Sequence, residues 1–63
     1  MTYRVKEWRE KRHLTQEELA AKSGVSRATI AALEGGNKKT ASVTTLMKLA
    51  EALGVRVDKI FCA

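Results

Sequence analysis

The residues able to do covalent or metal chemistry are few and isolated: one histidine, His13, and one cysteine, Cys62, in a chain of 63 residues. A nucleophile needs a base beside it, and a metal site of the usual kind needs several such ligands. Neither residue has a second of its type, so the chain reads as a non-enzyme without cofactor or metal. What is left is the chemistry of charge. Twelve Lys and Arg against seven Asp and Glu give a formal net charge of +5, which on so small a protein is the electrostatic footprint of a polyanion binder. Charge alone leaves nucleic acid, an anionic membrane and an acidic protein open.

One cation stands out by its position. In "GVSRATIAALE", residues 24–34, Arg27 directly follows Ser26, a residue type that caps helix N-termini. A cation at that end is mildly disfavoured by the helix dipole, so its presence leans toward a role other than stability. Ile30 and Leu33 share one face at a spacing of three, whereas Ala28 and Ala32, four apart, project from the opposite face. Two outward alanines are either good helix formers that cost nothing on a surface, or a face kept low so that something large can lie against it.

The elements that position these residues follow from the rest of the pattern. With 44% hydrophobic and 30% charged residues and no proline, the chain reads as one all-α domain over residues 1–63. Val5 to Lys11 forms a short first helix, with Val5, Trp8 and Arg9 toward one side and Arg4, Lys6, Lys11 and Arg12 on its flanks. His13 stands where that helix stops. In "TQEELAAK", Thr15 and Glu18 make a capping box, and Leu19 and Ala20 face inward. Gly24 supplies the left-handed residue that ends the second helix. Two short helices joined by "SGVS" must cross steeply, which is the geometry of a helix-turn-helix.

After Glu34, "GGNKKTAS" is a polar loop. Ser42 then caps a fourth helix with a stripe of Val43, Leu46, Leu49, Ala50 and Leu53, closed by Gly54. In "VRVDKIFCA" the helical spacing of Val57, Ile60 and Phe61 predicts a fifth helical turn or two. Ile60 and Phe61 either close the core or form a symmetric dimer surface. One cysteine excludes an internal disulfide. The charged start and the lack of any long apolar run argue against a signal peptide and a membrane span, so a cytoplasmic address is expected.

The stretch "LTQEELAAKSGVSRATIAALEGG" carries Leu14, Gln16, Leu19, Ala20, Gly24, Val25, Ser26, Ile30, Glu34 and Gly36 in an order that resembles the lambda-repressor and Cro-like DNA-binding family, the xenobiotic-response-element regulators of bacteria and phages. The likeness runs from "EWREKRHLTQ" through "LMKLAEALGV", nearly the whole chain. It implies a compact five-helix, lambda-repressor-like domain whose third helix lies in the major groove while the second crosses the sugar-phosphate backbone. It also implies a sequence-specific double-stranded DNA-binding transcriptional regulator, a repressor that binds a pseudo-palindromic operator as a homodimer.

Carried onto this sequence, the resemblance makes Arg27 a two-donor partner for guanine and gives Ala28, Thr29 and Ala32 close approach to the bases, where a methyl group can meet thymine. Gln16 would bond a phosphate and brace the first residue of the recognition helix, and Asn37, Lys38 and Lys39 would run beside the backbone. Arg9 and Glu34 would form an ion pair of structural purpose. The chain departs from the family pattern at Gly35, where Asn is usual, at Thr40 and Ala41, where a proline is common, and at His13, where glycine is usual and a left-handed backbone is expected. The competing reading is a protein-interaction module, an antitoxin or adaptor on the same fold, because an alanine face offers few hydrogen bonds for reading bases.

Overall fold

The computed structural model describes residues 2–35 and 42–62, and the side chains of residues 3–35 and 42–60. Cap chemistry sets most of the element boundaries. Helix α1 (Val5–Lys11) is followed by His13, whose φ of 57° is the one left-handed backbone angle at a described non-glycine residue. Helix α2 (Gln16–Ser23) opens on the expected capping box: the Thr15 hydroxyl accepts from the Glu18 N–H at 3.0 Å, and the Glu18 carboxylate accepts from the Thr15 N–H at 2.8 Å. It closes at Gly24 with φ 77°, a conformation that only a residue lacking Cβ takes without strain. Helix α3 (Arg27–Glu34) is capped by Ser26, and α4 (Val43–Leu53) by Ser42, whose hydroxyl accepts from the Thr45 N–H at 3.1 Å.

The expected fifth helix is not an α-helix. Val57–Lys59 makes a 3₁₀ turn, after which the chain extends as β2 (Phe61–Cys62) and pairs antiparallel with β1 (Thr2–Tyr3), Thr2 opposite Cys62 and Tyr3 opposite Phe61. The ladder continues through the Arg4 N–H, which donates to the Ile60 carbonyl at 2.8 Å. Helical spacing in "VDKIF" thus gives way to a clasp between the two ends of the chain. No side chain caps the turn at Arg56, and its residues are few, so pairing with β1 decides the backbone. Among the described residues the domain is therefore built on four α-helices. Ile60 lies in the core with no exposure, so at that residue the chain closes the core.

Leu19, Ile30, Leu46, Leu49, Leu53, Ile60 and Val5 are fully buried, and Leu33, Val25, Ala50 and Ala52 complete the core. Val43 does not join its helix's stripe: it is 66% exposed, and with Met47 at 57% it is one of two large apolar side chains left open among the described residues. It is the first residue of α4, and a helical Cα–Cβ bond leans toward the N-terminus, so at this position the side chain points past the end of the packed layer. Polar side chains tie the α1 region to the end of α4 and to the 3₁₀ turn. The Arg12 Nε–H donates to the Leu53 carbonyl at 2.8 Å, and the Trp8 indole N–H donates to the Lys59 carbonyl at 3.2 Å, with the Lys11 ammonium 4.6 Å from the ring centroid.

Candidate nucleic-acid interface

Helices α2 and α3 are joined by a turn of three residues, Gly24 to Ser26, which is too short for parallel arms and sets the second helix across the first. Gly24 reverses the chain, Val25 is buried and anchors the turn, and the Ser26 hydroxyl holds the first turn of α3 by accepting from the Thr29 N–H at 3.2 Å. Ile30 and Leu33 are buried in the core. With that face fixed, Arg27 and Ala28 are exposed, and Thr29, Ala31 and Ala32 are half-buried.

These residues differ in what they have left to offer. No described residue partners the exposed Arg27 guanidinium, which carries five N–H donors. Ala28 is open and Ala32 is partly covered. The Thr29 hydroxyl lies 2.8 Å from the Ser26 hydroxyl, and part of its hydrogen-bonding capacity belongs to the cap. Asn37, Lys38 and Lys39 lie outside the described residues.

The other end of α3 is built differently. The Glu34 carboxylate accepts from the Arg9 Nε–H at 2.8 Å and from Nη2 at 3.1 Å, and Arg9 Nη1 donates to the Leu14 carbonyl at 2.7 Å. The two side chains are 13% and 5% exposed, Arg9 first. Hydrogen bonding to Glu34 raises the Arg9 guanidinium above its usual range, against a smaller opposing effect of burial. The expected ion pair is present, two-pronged and largely withdrawn from water.

Gln16 is placed by this pair. Its Nε2 donates to Glu34 Oε1 at 3.0 Å, so the half-buried amide at the start of α2 meets the end of α3. The family resemblance implies Gln16 as a phosphate contact and a brace for the first residue of α3 but does not disclose this bond. Eighteen residues separate the partners, and only the meeting of two helix ends brings them together. A shallow groove elsewhere, lined by Tyr3, Arg4, Lys6, Glu7, Glu10 and Lys11, contains none of the site candidates. Among the described residues no cluster of three or more His, Cys, Asp or Glu could hold a metal, and no helix is long and apolar enough to cross a membrane.

The comparisons with known proteins agree with this geometry. The family model for the helix-turn-helix matches residues 5–60. An uncharacterized HTH-type transcriptional regulator of Methanocaldococcus jannaschii is 44% identical over 61 residues, which are 97% of this chain and 91% of that protein. A counterpart from Archaeoglobus fulgidus is 43% identical over 61 residues, 97% of this chain and 84% of its own. Among solved structures, the restriction-modification controller protein C.AhdI from Aeromonas hydrophila superposes with a TM-score of 0.85 at 34% identity, covering 92% of this chain and 86% of that one.

Proposed function

This chain belongs to the Cro/C1-type helix-turn-helix family of DNA-binding transcriptional regulators, and we propose that within it the protein is a sequence-specific operator-binding repressor. The observation that carries the reading is the exposed Arg27 at the start of α3, without a partner among the described residues, on a helix whose inner face and far end are both fixed. In this reading α3 enters the major groove, Arg27 makes two parallel bonds to a guanine, and Ala28 and Ala32 allow the helix backbone to approach the base edges. Gln16 binds a phosphate of the strand that α2 crosses. Asn37, Lys38 and Lys39 add backbone contacts.

One such module spans few base pairs, so the protein acts as a homodimer on a pseudo-palindrome, in the cytoplasm, where two recognition helices lie one turn of DNA apart. Titration with mixed-sequence duplex at low salt is the first test. A chain with this charge should bind it visibly, and no binding there sinks the reading in favour of a protein-interaction module. Selection from a random duplex pool then supplies the operator. Recovered sites with two-fold symmetry support the dimer, and single half-sites bound by a species that scatters light as a monomer would remove it.

A further inference from the structure

We propose that Glu34 is a positioning residue for the DNA interface: by fixing which way the Gln16 amide faces, it leaves Gln16 with one N–H to offer a phosphate. The inference rests on the DNA-binding reading above. A carboxylate only accepts hydrogen bonds, so the Gln16 atom 3.0 Å from Glu34 Oε1 must be the nitrogen. Turning the amide over would set two oxygens against each other. Glu34 cannot follow a change in Gln16, because both of its oxygens are held by Arg9, which is itself anchored on the Leu14 carbonyl.

The consequence lies in what remains on the amide. One N–H is committed to Glu34, which leaves one donor and one acceptor. A phosphate only accepts, so it can meet the remaining N–H of Gln16 and not its carbonyl oxygen. Gln16 thereby presents a donor of fixed polarity to the sugar-phosphate backbone. Arg9 matters to this arrangement as well, since its charge cancels the carboxylate's beside an anionic ligand. With glutamine at position 34 both orientations of Gln16 are allowed, and the polarity is lost.

The test is a double-mutant cycle read on DNA and on the side-chain amide itself. Affinity for mixed-sequence duplex at low salt is measured for the full chain, Gln16→Ala, Glu34→Gln and the double variant, at a temperature where each is folded. Glu34→Gln is expected to weaken binding roughly 3- to 10-fold when Gln16 is present, the effect of about one hydrogen bond, and by less than about twofold when residue 16 is alanine. An equal loss in both backgrounds overturns the proposal, because Glu34 then acts through the fold alone. Nitrogen-15 relaxation of the Gln16 side-chain amide in the unaltered chain provides a readout that does not depend on any variant folding. An amide as rigid as the helix backbone is expected, and one that rotates freely overturns the proposal. Failure of the unaltered chain to bind any duplex would instead defeat the DNA reading, while the relaxation data would still report whether Glu34 holds the amide.

Discussion

The two ends of α3 solve opposite problems. At the C-terminal end, Glu34 is 5% exposed and receives three hydrogen bonds from Arg9 and Gln16. At the N-terminal end, Arg27 is exposed without a described partner, and a single neutral hydroxyl, that of Ser26, secures the first turn. Both residues are charged, yet only one charge belongs to the architecture. A desolvated carboxylate is tolerable because its partners are complete, and it becomes costly as soon as one is missing. A solvated guanidinium makes no such demand on the fold, and it can exchange water for a ligand.

The largest effect should come from breaking the built end. Glu34→Ala leaves the Arg9 guanidinium without its carboxylate and is expected to lower stability by about 2–4 kcal/mol, a drop in melting temperature of roughly 10 °C or more in a domain of this size. Arg27→Ala should stay within about 0.5 kcal/mol of the unaltered chain. Thermal and denaturant unfolding of both variants checks the pair. Similar losses for the two would mean that the ends are not different in kind.

On DNA the order reverses for Arg27. Arg27→Ala should cost about 1–3 kcal/mol on the preferred site and relax choice at one base pair per half-site, with a smaller loss on random duplex. Replacing Lys38 and Lys39 should weaken all sequences alike and make the slope of log affinity against log salt shallower by roughly one per phosphate contact removed. A salt series on both duplexes separates these outcomes. If Arg27→Ala weakens the two duplexes equally, the arginine contacts a phosphate, and the bases are read by other means.

Much of this contrast was legible in the sequence, because helix ends are governed by local chemistry. The Thr15 and Glu18 box, the Ser26 and Ser42 caps, and the left-handed Gly24 and Gly54 each depend on residues within one turn. The Arg9 and Glu34 pair was legible only through resemblance, and the Gln16 bond to Glu34 not at all, since neither spacing nor composition brings partners so far apart into register. The tail misled for the same reason. Val57, Ile60 and Phe61 have helical spacing, but their conformation is set by β1, some 60 residues away in sequence. Val43 carries an apolar side chain at a stripe position and still faces water, because periodicity says which side a residue takes and not how far along the axis the core extends.

The smallest expected effect concerns the lightly held end of α3. The Ser26 hydroxyl is the described side-chain acceptor for the first turn of that helix, at 3.2 Å from the Thr29 N. Removing it in Ser26→Ala orphans that N–H and should cost about 1 kcal/mol, whereas Ser26→Gly, which allows water to reach the N–H, should cost only a few tenths. Because the loss is local, hydrogen exchange should quicken at Thr29 and Ile30 while Leu33 and Glu34 keep their protection, held as they are by the core and by Arg9. A loosened first turn also holds Arg27 less firmly, so specific binding should fall by no more than the roughly fivefold that about 1 kcal/mol represents. Were Ser26→Ala instead to destabilise the chain as severely as Glu34→Ala, or to speed exchange along the whole of α3, the two ends would be one cooperative unit, and Arg27 would owe its freedom to something other than a lightly secured first turn.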